Sequence, residues 1–226
     1  MRALLVANES DADAGFVGER LSLAGYDFEL RAREAWRDWP VLGSPDLVLA
    51  LGSDWSVYWD HVAAPVEAEA SLMRAAHERD VPMLCICFGA QLLSHALGGV
   101  VELAPEPEIG WHSVESAEPA LAGTWFQWHV DRFNPPAGAE VLAHSRRAVQ
   151  AYRHGSALAV QFHPEVDDSI VERWSHLGSA ELERHGIDAG ELRARTAIET
   201  ARSRAAAHTL VDWFVSLAAS PINGGR

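Results

Sequence analysis

The stretch Val81–Gly99, VPMLCICFGAQLLSHALGG, carries the strongest structural signal in this sequence. Its apolar run up to Ile86 is typical of a buried strand. The apolar periodicity from Gln91 to Leu97, followed by two glycines, is typical of a helix that ends there. Cys87 stands at the junction. We therefore predict a sharp strand-to-helix turn that holds Cys87 at the carboxyl end of a sheet and at the N-terminus of a helix.

A cysteine at such a turn is suited to act as a nucleophile. The free N–H groups and the positive end of the helix dipole favour negative charge on a sulfur or on an oxyanion. The turn needs small neighbours, and Gly89 meets this need better than Cys85 does. The competing interpretation is a pair of structural cysteines, because free cysteine is commonly a small core residue. The choice between the two interpretations depends on whether other parts of the chain supply residues that could act together with Cys87.

The composition limits the class of protein. The chain has 226 residues, of which 48% are hydrophobic, and this is enough for one sizeable core. Its net charge of −14 and the lack of a basic stripe exclude nucleic acid and membrane surfaces as expected partners. The two cysteines are one residue apart on a strand and should point to opposite faces, so no disulfide is expected. No signal peptide or membrane-spanning stretch is recognisable, and we expect a cytoplasmic protein.

The order of the predicted elements indicates an α/β fold. Apolar runs predict strands at Ala3–Ala7, Tyr26–Leu30 and Asp46–Leu51, with helices over Phe16–Ala24 and Pro65–Arg79. This β-α-β order with short connections is typical of a central, mostly parallel sheet flanked by helices. The later predicted strands are Val100–Leu103, Thr124–Val130, Val141–His144, Val149–Tyr152 and Leu158–Phe162, and residues 104–116 are predicted to form a loop followed by a strand.

The C-terminal part of the chain changes character. Periodic apolar residues predict helices from Asp167 onward, and Pro221–Arg226 is expected to be a frayed tail. We interpret the whole chain, residues 1–226, as one domain. It consists of a catalytic α/β core over residues 1–166 and a helical C-terminal extension over residues 167–226.

A histidine and a glutamate follow the last predicted strand, in the sequence His163-Pro164-Glu165. Alternation along an extended segment puts residues i and i+2 on one side, so His163 and Glu165 can face the same site. A thiol, a base that removes its proton and a carboxylate that orients the base together form a nucleophilic triad. A structural histidine at a strand end is the alternative for His163. No His or Cys spacing matches a zinc motif, so no metal site is expected.

Two motifs resemble those of the class I glutamine amidotransferases. CICFGAQLL at 85–93 is similar to the family's nucleophile motif, G-x-C-x-G-x-Q, and AVQFHPEV at 159–166 is similar to its His/Glu motif. LGSDWSV resembles the oxyanion loop, and EIGWHSV and FQWHVD resemble the segments that line the glutamine pocket. The likeness extends from about Asp46 to Val166. It is greatest for the stand-alone, GMP-synthase-like members, whose helical tail resembles Asp167–Phe214.

The resemblance implies a role for each residue of the triad. Cys87 would attack the carboxamide carbon of glutamine and form a γ-glutamyl thioester. His163 would act as general base and acid, and Glu165 would orient it. Water would then hydrolyse the thioester, so that the products are glutamate and ammonia. The resemblance implies no cofactor.

The resemblance also implies binding roles. The oxyanion hole is assigned to the backbone N–H groups of Gly52, Ser53 and Phe88. Glutamine binding is assigned to Gln91, His129 and Val130. Two residues depart from the family pattern, since Cys85 and Ser53 stand where the family usually has glycine. Ser53 would be strained if that position requires a positive φ.

Three functions remain open. The first is a glutaminase that passes ammonia to a separate synthetase or acceptor subunit, because the sequence contains no P-loop that would activate an acceptor. The second is a hydrolase that acts alone on γ-glutamyl amides or peptides with the same triad. The third is a non-catalytic regulatory or binding module, which the intact triad disfavours and Ser53 favours.

Overall fold

The computed structural model describes residues 1–219 and combines one sheet with flanking helices. The strands are β1 (Arg2–Ala7), β2 (Asp27–Ala32), β3 (Leu47–Ala50), β4 (Met83–Ile86), β5 (Val100–Ser116), β6 (Gly123–Asn134), β7 (Glu140–His144), β8 (Val149–His154) and β9 (Ala157–Val160). The helices are α1 (Gly15–Leu23), α2 (Ala63–His77), α3 (Phe88–Ala96), α4 (Asp168–Leu177), α5 (Ser179–Arg184) and α6 (Ala189–Ala219). The fold is therefore α/β, as the sequence predicts.

The sheet has a parallel half and an antiparallel half. Its strand order is β2-β1-β3-β4-β9-β8-β7-β5-β6. The pairings from β2 through β1, β3 and β4 to β9 are parallel, and those from β9 to β6 are antiparallel. The prediction of a mostly parallel sheet is corrected to a mixed sheet. The reason is local, because short turns join β7 to β8 and β8 to β9, and a tight turn can connect only antiparallel neighbours.

The strand β5 contradicts a second prediction. The sequence indicates a loop at the start of residues 104–116, but these residues continue β5, which is 17 residues long and pairs with β6. The register shifts between Leu103 and Glu108. Pro105 and Pro107 lie within this irregular part, where the absence of an N–H group interrupts no regular ladder. Turn-forming composition therefore marks a bulge inside a strand here.

The core lies on both faces of the parallel half. Side chains such as Leu5 and Leu49 pack on one face against α1 and α6, whereas Leu4 and Val48 pack on the other face against α2 and α3. Alternate residues of the same strand thus supply both clusters. Strands that are covered on both faces have to be apolar throughout, and this is why they appear in the sequence as continuous apolar runs.

The C-terminal helices pack against the body of the sheet. Asp167 caps α4 by accepting a hydrogen bond from the Ile170 N–H at 2.9 Å. Arg20 on α1 binds Asp212 on α6 through two hydrogen bonds, of 2.7 and 2.8 Å. Residues 220–226, which include the expected frayed tail, lie outside the described residues. None of the helices within residues 1–219 combines the length and apolarity needed to cross a bilayer.

Candidate active site

Cys87 occupies the turn between β4 and α3. Its backbone angles, φ of 51° and ψ of −107°, lie in a region that residues with a side chain rarely adopt. The Cys87 N–H still donates to the Val160 carbonyl at 2.8 Å, so the turn starts directly from the sheet. A Cβ atom at Gly89 would lie 2.5 Å from the Ala50 carbonyl oxygen. The turn therefore packs so closely on β3 that position 89 has to be glycine.

Cys85 lies on the opposite face of the sheet from Cys87. It is fully buried in the cluster under α2 and α3, and both cysteines are free thiols. Burial raises the pKa of the Cys85 thiol, and the charge of Glu69 adds to this effect. A thiol that keeps its proton is a poor nucleophile. The structure thus gives Cys85 a packing position, which explains why a residue other than glycine is accommodated there.

His163 and Glu165 form a buried hydrogen-bonded pair. The backbone N–H of His163 donates to the Phe126 carbonyl at 2.8 Å, which attaches this segment to β6. The His163 Nδ1–H donates to Oε1 of Glu165 at 2.6 Å, and only 3% and 2% of the two side chains is exposed. Because a carboxylate can only accept, this bond leaves Nε2 of His163 as the nitrogen that can exchange a proton.

The charge state of His163 is set by its neighbours. Burial would by itself lower the His163 pKa, but the carboxylate of Glu165 and the sulfur of Cys87 together raise it well above the usual range for histidine. Nε2 of His163 is buried and has no hydrogen-bond partner among the described residues. The imidazole can therefore hold a proton next to Cys87 and release it from Nε2.

Gln161 is a neighbour of the thiol that the sequence analysis missed. Its Nε2 lies 3.6 Å from Sγ of Cys87, and its Oε1 accepts a hydrogen bond from Gln91 at 3.4 Å. Gln91 is itself buried and also donates to the Asp131 carbonyl at 3.3 Å. Alternation from His163 back to Gln161 is the signal that would have found this residue. The structure thus connects the predicted binding residue Gln91 to the thiol through Gln161.

The loop after β3 approaches the same site. A Cβ atom on Gly52 would lie 3.0 Å from Cε1 of His163 and 3.7 Å from Cβ of Cys87. Phe88 is the first residue of α3, so its N–H has no partner within the helix. Among residues 1–219, only Asp80 and Cys87 have a positive φ without being glycine, so Ser53 is free of the strain considered above.

His129 and Val130 lie on β6, directly after Trp128. The Trp128 carbonyl oxygen is 3.9 Å from Sγ of Cys87, so this part of β6 borders the thiol. The His129 side chain contacts the Asp131 carbonyl through Nδ1 at 2.9 Å, and its Nε2 is 3.5 Å from Oε2 of Glu108. The binding role of the His129–Val130 backbone stays a prediction.

The helix α4 covers the imidazole. The ring of Trp174 contacts that of His163 edge to face, with centroids 4.8 Å apart and an interplanar angle of 71°. The Trp174 indole N–H donates to Oδ2 of Asp11 at 2.7 Å, and Arg173 donates to Oδ1 of the same carboxylate at 2.9 Å. No motif in the sequence marks Trp174 as a neighbour of His163. Its packing shields one side of His163 from water.

The site as a whole presents a thiol, an imidazole and a carboxylate, with the N–H groups of a loop and a helix end nearby. This arrangement suits nucleophilic attack on a carbonyl carbon. No group of three His, Cys, Asp or Glu side chains in the described part of the chain is arranged to hold a metal ion.

Comparison with known proteins identifies relatives of this chain. Residues 59–171, half of the chain, match the family described as glutamine amidotransferase class-I. One subunit of the glutamine-hydrolysing GMP synthase of Saccharolobus solfataricus is 41% identical over 100 residues, which are 39% of this chain and 53% of the relative. The GMP synthase of Bifidobacterium longum is 29% identical over 189 residues, which are 76% of this chain and 34% of the relative. The matches therefore span about half of the first relative and about a third of the second.

Solved structures confirm the predicted fold. A glutamine amidotransferase from Thermotoga maritima superposes with a TM-score of 0.85 at 25% identity, over 95% of this chain and 98% of that one. A glutamine amidotransferase from Methylobacillus flagellatus superposes with a TM-score of 0.82 at 21% identity, over 100% of this chain and 97% of that one.

Proposed function

This chain belongs to the class I glutamine amidotransferase family, and on that basis we propose that it hydrolyses the side-chain amide of glutamine to glutamate and ammonia. The observation that carries the proposal is the buried His163–Glu165 pair, 2.6 Å apart, beside Cys87 on its strand-to-helix turn. These three side chains supply the nucleophile, the base and the orienting carboxylate that amide hydrolysis through a thioester needs.

The first half of the reaction forms the thioester. The thiol proton of Cys87 moves to Nε2 of His163, and the resulting thiolate Sγ attacks the amide carbon. Negative charge then develops on the former carbonyl oxygen, where the N–H groups of Gly52, Ser53 and Phe88 stabilise it. Collapse of this intermediate breaks the C–N bond, and His163 returns the proton so that the nitrogen leaves as ammonia.

The second half regenerates the thiol. Water attacks the thioester carbon, and His163 takes a proton from it. The C–S bond breaks, the sulfur recovers the proton, and glutamate leaves. The raised pKa of His163 suits this cycle, because the imidazole has to hold a proton during the lifetime of each tetrahedral intermediate.

We further propose that the ammonia passes to a separate acceptor-activating subunit. The support is the name of the Saccharolobus relative, which is one subunit of a glutamine-hydrolysing GMP synthase.

Within the described residues, the site contains Gln91, Gln161 and the β6 backbone around the thiol, which are groups that can hydrogen-bond glutamine. Glutamine is therefore the substrate that we expect.

The direct test is glutamate release from glutamine by the purified chain. We expect steady release that Cys87→Ala abolishes, because alanine has no thiol that could form the thioester. Cys85→Ala is the matched control and should keep most of the activity, since Cys85 lies on the other face of the sheet. Intact mass after a rapid acid quench should show a γ-glutamyl adduct on the wild type and none on Cys87→Ala.

Other outcomes would contradict the proposal in different ways. Full activity of Cys87→Ala would remove the assigned nucleophile. Faster turnover of γ-glutamyl peptides than of glutamine would favour a hydrolase that acts alone. If neither glutamine nor these peptides yields product or adduct, a non-catalytic module becomes the better interpretation.

A further inference from the structure

Arg33 is a buried cation that the mechanism does not use. It begins the short 3-10 turn Arg33–Asp38 after β2, and none of its side chain is exposed. Arginine is almost never fully buried unless its charge is paired. Glu69 on α2, 1% exposed, provides the pairing through bonds of 2.7 Å to Nε and 3.1 Å to Nη2. This pair accounts for the charge of Arg33 but for only two of its donors.

The other donors of Arg33 bind the loop that approaches the thiol. Nη2 donates to the Leu51 carbonyl at 2.9 Å, and Nη1 donates to the Gly52 carbonyl at 2.8 Å and to Oδ1 of Asn8 at 3.0 Å. All five N–H groups of the guanidinium are thus used. Oδ1 of Asn8 also accepts a hydrogen bond from the Ser53 hydroxyl at 2.7 Å.

The same guanidinium contacts the helix end. Its central carbon lies 4.7 Å from the centroid of the Phe88 ring, in a cation–π contact. Arg33 therefore touches Gly52 and Phe88 directly and Ser53 through Asn8. These are the three residues whose N–H groups are assigned to the oxyanion.

Because peptide groups are planar, these contacts also fix the directions of the Gly52 and Ser53 N–H groups. In a trans peptide, the carbonyl of one residue and the N–H of the next point in opposite directions within one plane. A bond that holds the Leu51 carbonyl therefore sets the direction of the Gly52 N–H, and a bond to the Gly52 carbonyl sets that of the Ser53 N–H. Glycine at position 52 would otherwise leave both peptides free to rotate.

We infer that Arg33, held by Glu69, is a positioning residue that aims the N–H groups of Gly52 and Ser53 at the oxyanion formed on Cys87. This inference rests on the proposed function, because only a reaction at Cys87 gives the oriented groups a use. Lysine cannot replace Arg33 here, since an ammonium has three donors on one atom and cannot span four partners in a plane.

The test compares Arg33→Lys with Arg31→Lys as a matched control. Arg31 is also buried and is paired with Glu29 at 2.7 Å, but its other bond goes to the Pro40 carbonyl and not to the loop. For Arg33→Lys we expect kcat for glutamine to fall by about 100-fold, the loss seen when an oxyanion donor is removed, with little change in KM. Arg31→Lys should keep the wild-type kcat.

Two further measurements separate positioning from general damage. Alkylation of Cys87 by iodoacetamide is a displacement at a saturated carbon and forms no oxyanion, so its rate should be unchanged in Arg33→Lys. The double variant Arg33→Met with Glu69→Met replaces the ion pair by apolar groups of similar size, a change that buried pairs often tolerate. It should fold and show the same loss of kcat.

The backbone amide resonances of Gly52 and Ser53 test the inference even if the wild type turns over no glutamine. They should shift in Arg33→Lys and stay in place in Arg31→Lys. Unchanged resonances in a folded Arg33 variant, an unchanged kcat in the double variant, or an alkylation rate that falls as much as kcat would each overturn the inference. An inactive wild type with shifted amides would instead contradict the proposed function and support the positioning role.

Discussion

At the scale of single residues, the backbone of Cys87 is the most strained feature of the site. A positive φ on a residue with a side chain costs about 1–3 kcal/mol and persists only where the surrounding structure imposes it. The surroundings here are the Val160 carbonyl, which holds the Cys87 N–H, and the close approach of Gly89 to β3. The strain holds the sulfur out of the strand, 3.9 Å from the Trp128 carbonyl oxygen and close enough to His163 to raise the pKa of its imidazole.

This strain predicts an unusual effect of glycine at position 87. We expect Cys87→Gly to be more stable to unfolding than Cys87→Ala by about 1 kcal/mol, because glycine adopts a positive φ at no steric cost. The greater entropy of glycine in the unfolded chain removes part of the gain. Guanidinium denaturation of the two variants, both of which lack the thiol, measures the difference.

The control for this prediction is Ala90→Gly. Ala90 is fully buried within α3, where glycine should cost about 1 kcal/mol relative to alanine. A stability of Cys87→Gly below that of Cys87→Ala would mean that position 87 is not strained in solution.

At the scale of elements, α4 brings Trp174 from the helical extension onto His163. The sequence predicts a helix here but not its contact with His163, since Trp174 and His163 belong to different segments. The indole is held from both ends, by its ring contact with His163 and by its bond to Asp11. This contact makes α4 a wall of the site.

We expect Trp174→Ala to lower kcat/KM for glutamine by about tenfold, equivalent to about 1.4 kcal/mol. The reason is that water would reach the imidazole and weaken its interaction with Glu165. Trp174→Phe keeps an aromatic ring beside His163 but removes the hydrogen bond to Asp11, so this variant should retain most of the activity. Steady-state kinetics of glutamate release measures both variants.

Trp213→Ala provides the comparison. Trp213 is also half-buried and helical, but it packs on the cluster shared with α1. Equal losses of kcat/KM in Trp174→Ala and Trp213→Ala would argue that the effect of Trp174 is one of general stability.

At the scale of the whole molecule, α6 is part of the main core. Leu210 and Phe214 on this helix belong to the same cluster as Leu5 and Leu49 of the central strands. The ion pair between Arg20 and Asp212 lies at the surface of the contact between α1 and α6, where such pairs contribute little. Apolar burial is therefore the main force that holds this helix on the sheet.

Phe214→Ala should lower the free energy of unfolding by about 3–5 kcal/mol, the usual cost of removing a buried phenylalanine ring. Ile198→Ala on the same helix should change it by less than about 0.5 kcal/mol, because Ile198 is 77% exposed. Denaturation followed by circular dichroism and by tryptophan fluorescence should give one coincident transition for each protein. A small effect of Phe214→Ala would show that α6 is dispensable for the core.

Local patterns account for what could be predicted. Apolar runs located the strands β1, β3, β4 and β9, because a strand covered on both faces must be apolar at every position. The same patterns and the two motifs predicted that Cys87, His163 and Glu165 belong together. Composition failed only at the start of residues 104–116, where prolines and polar residues form an irregular part of β5 between Leu103 and Glu108 and not a loop.

The sequence by itself determined the family, the α/β class and the segments that carry Cys87, His163 and Glu165, since each depends on residues close together in the chain. Only the tertiary structure decided what surrounds these three side chains. Arg33 reaches Gly52, 19 residues away, and Glu69, 36 residues away, and Trp174 binds Asp11 across 163 residues. A buried donor has to form a hydrogen bond, and its acceptor depends on which elements pack beside it. Local periodicity in the sequence does not show which elements these are.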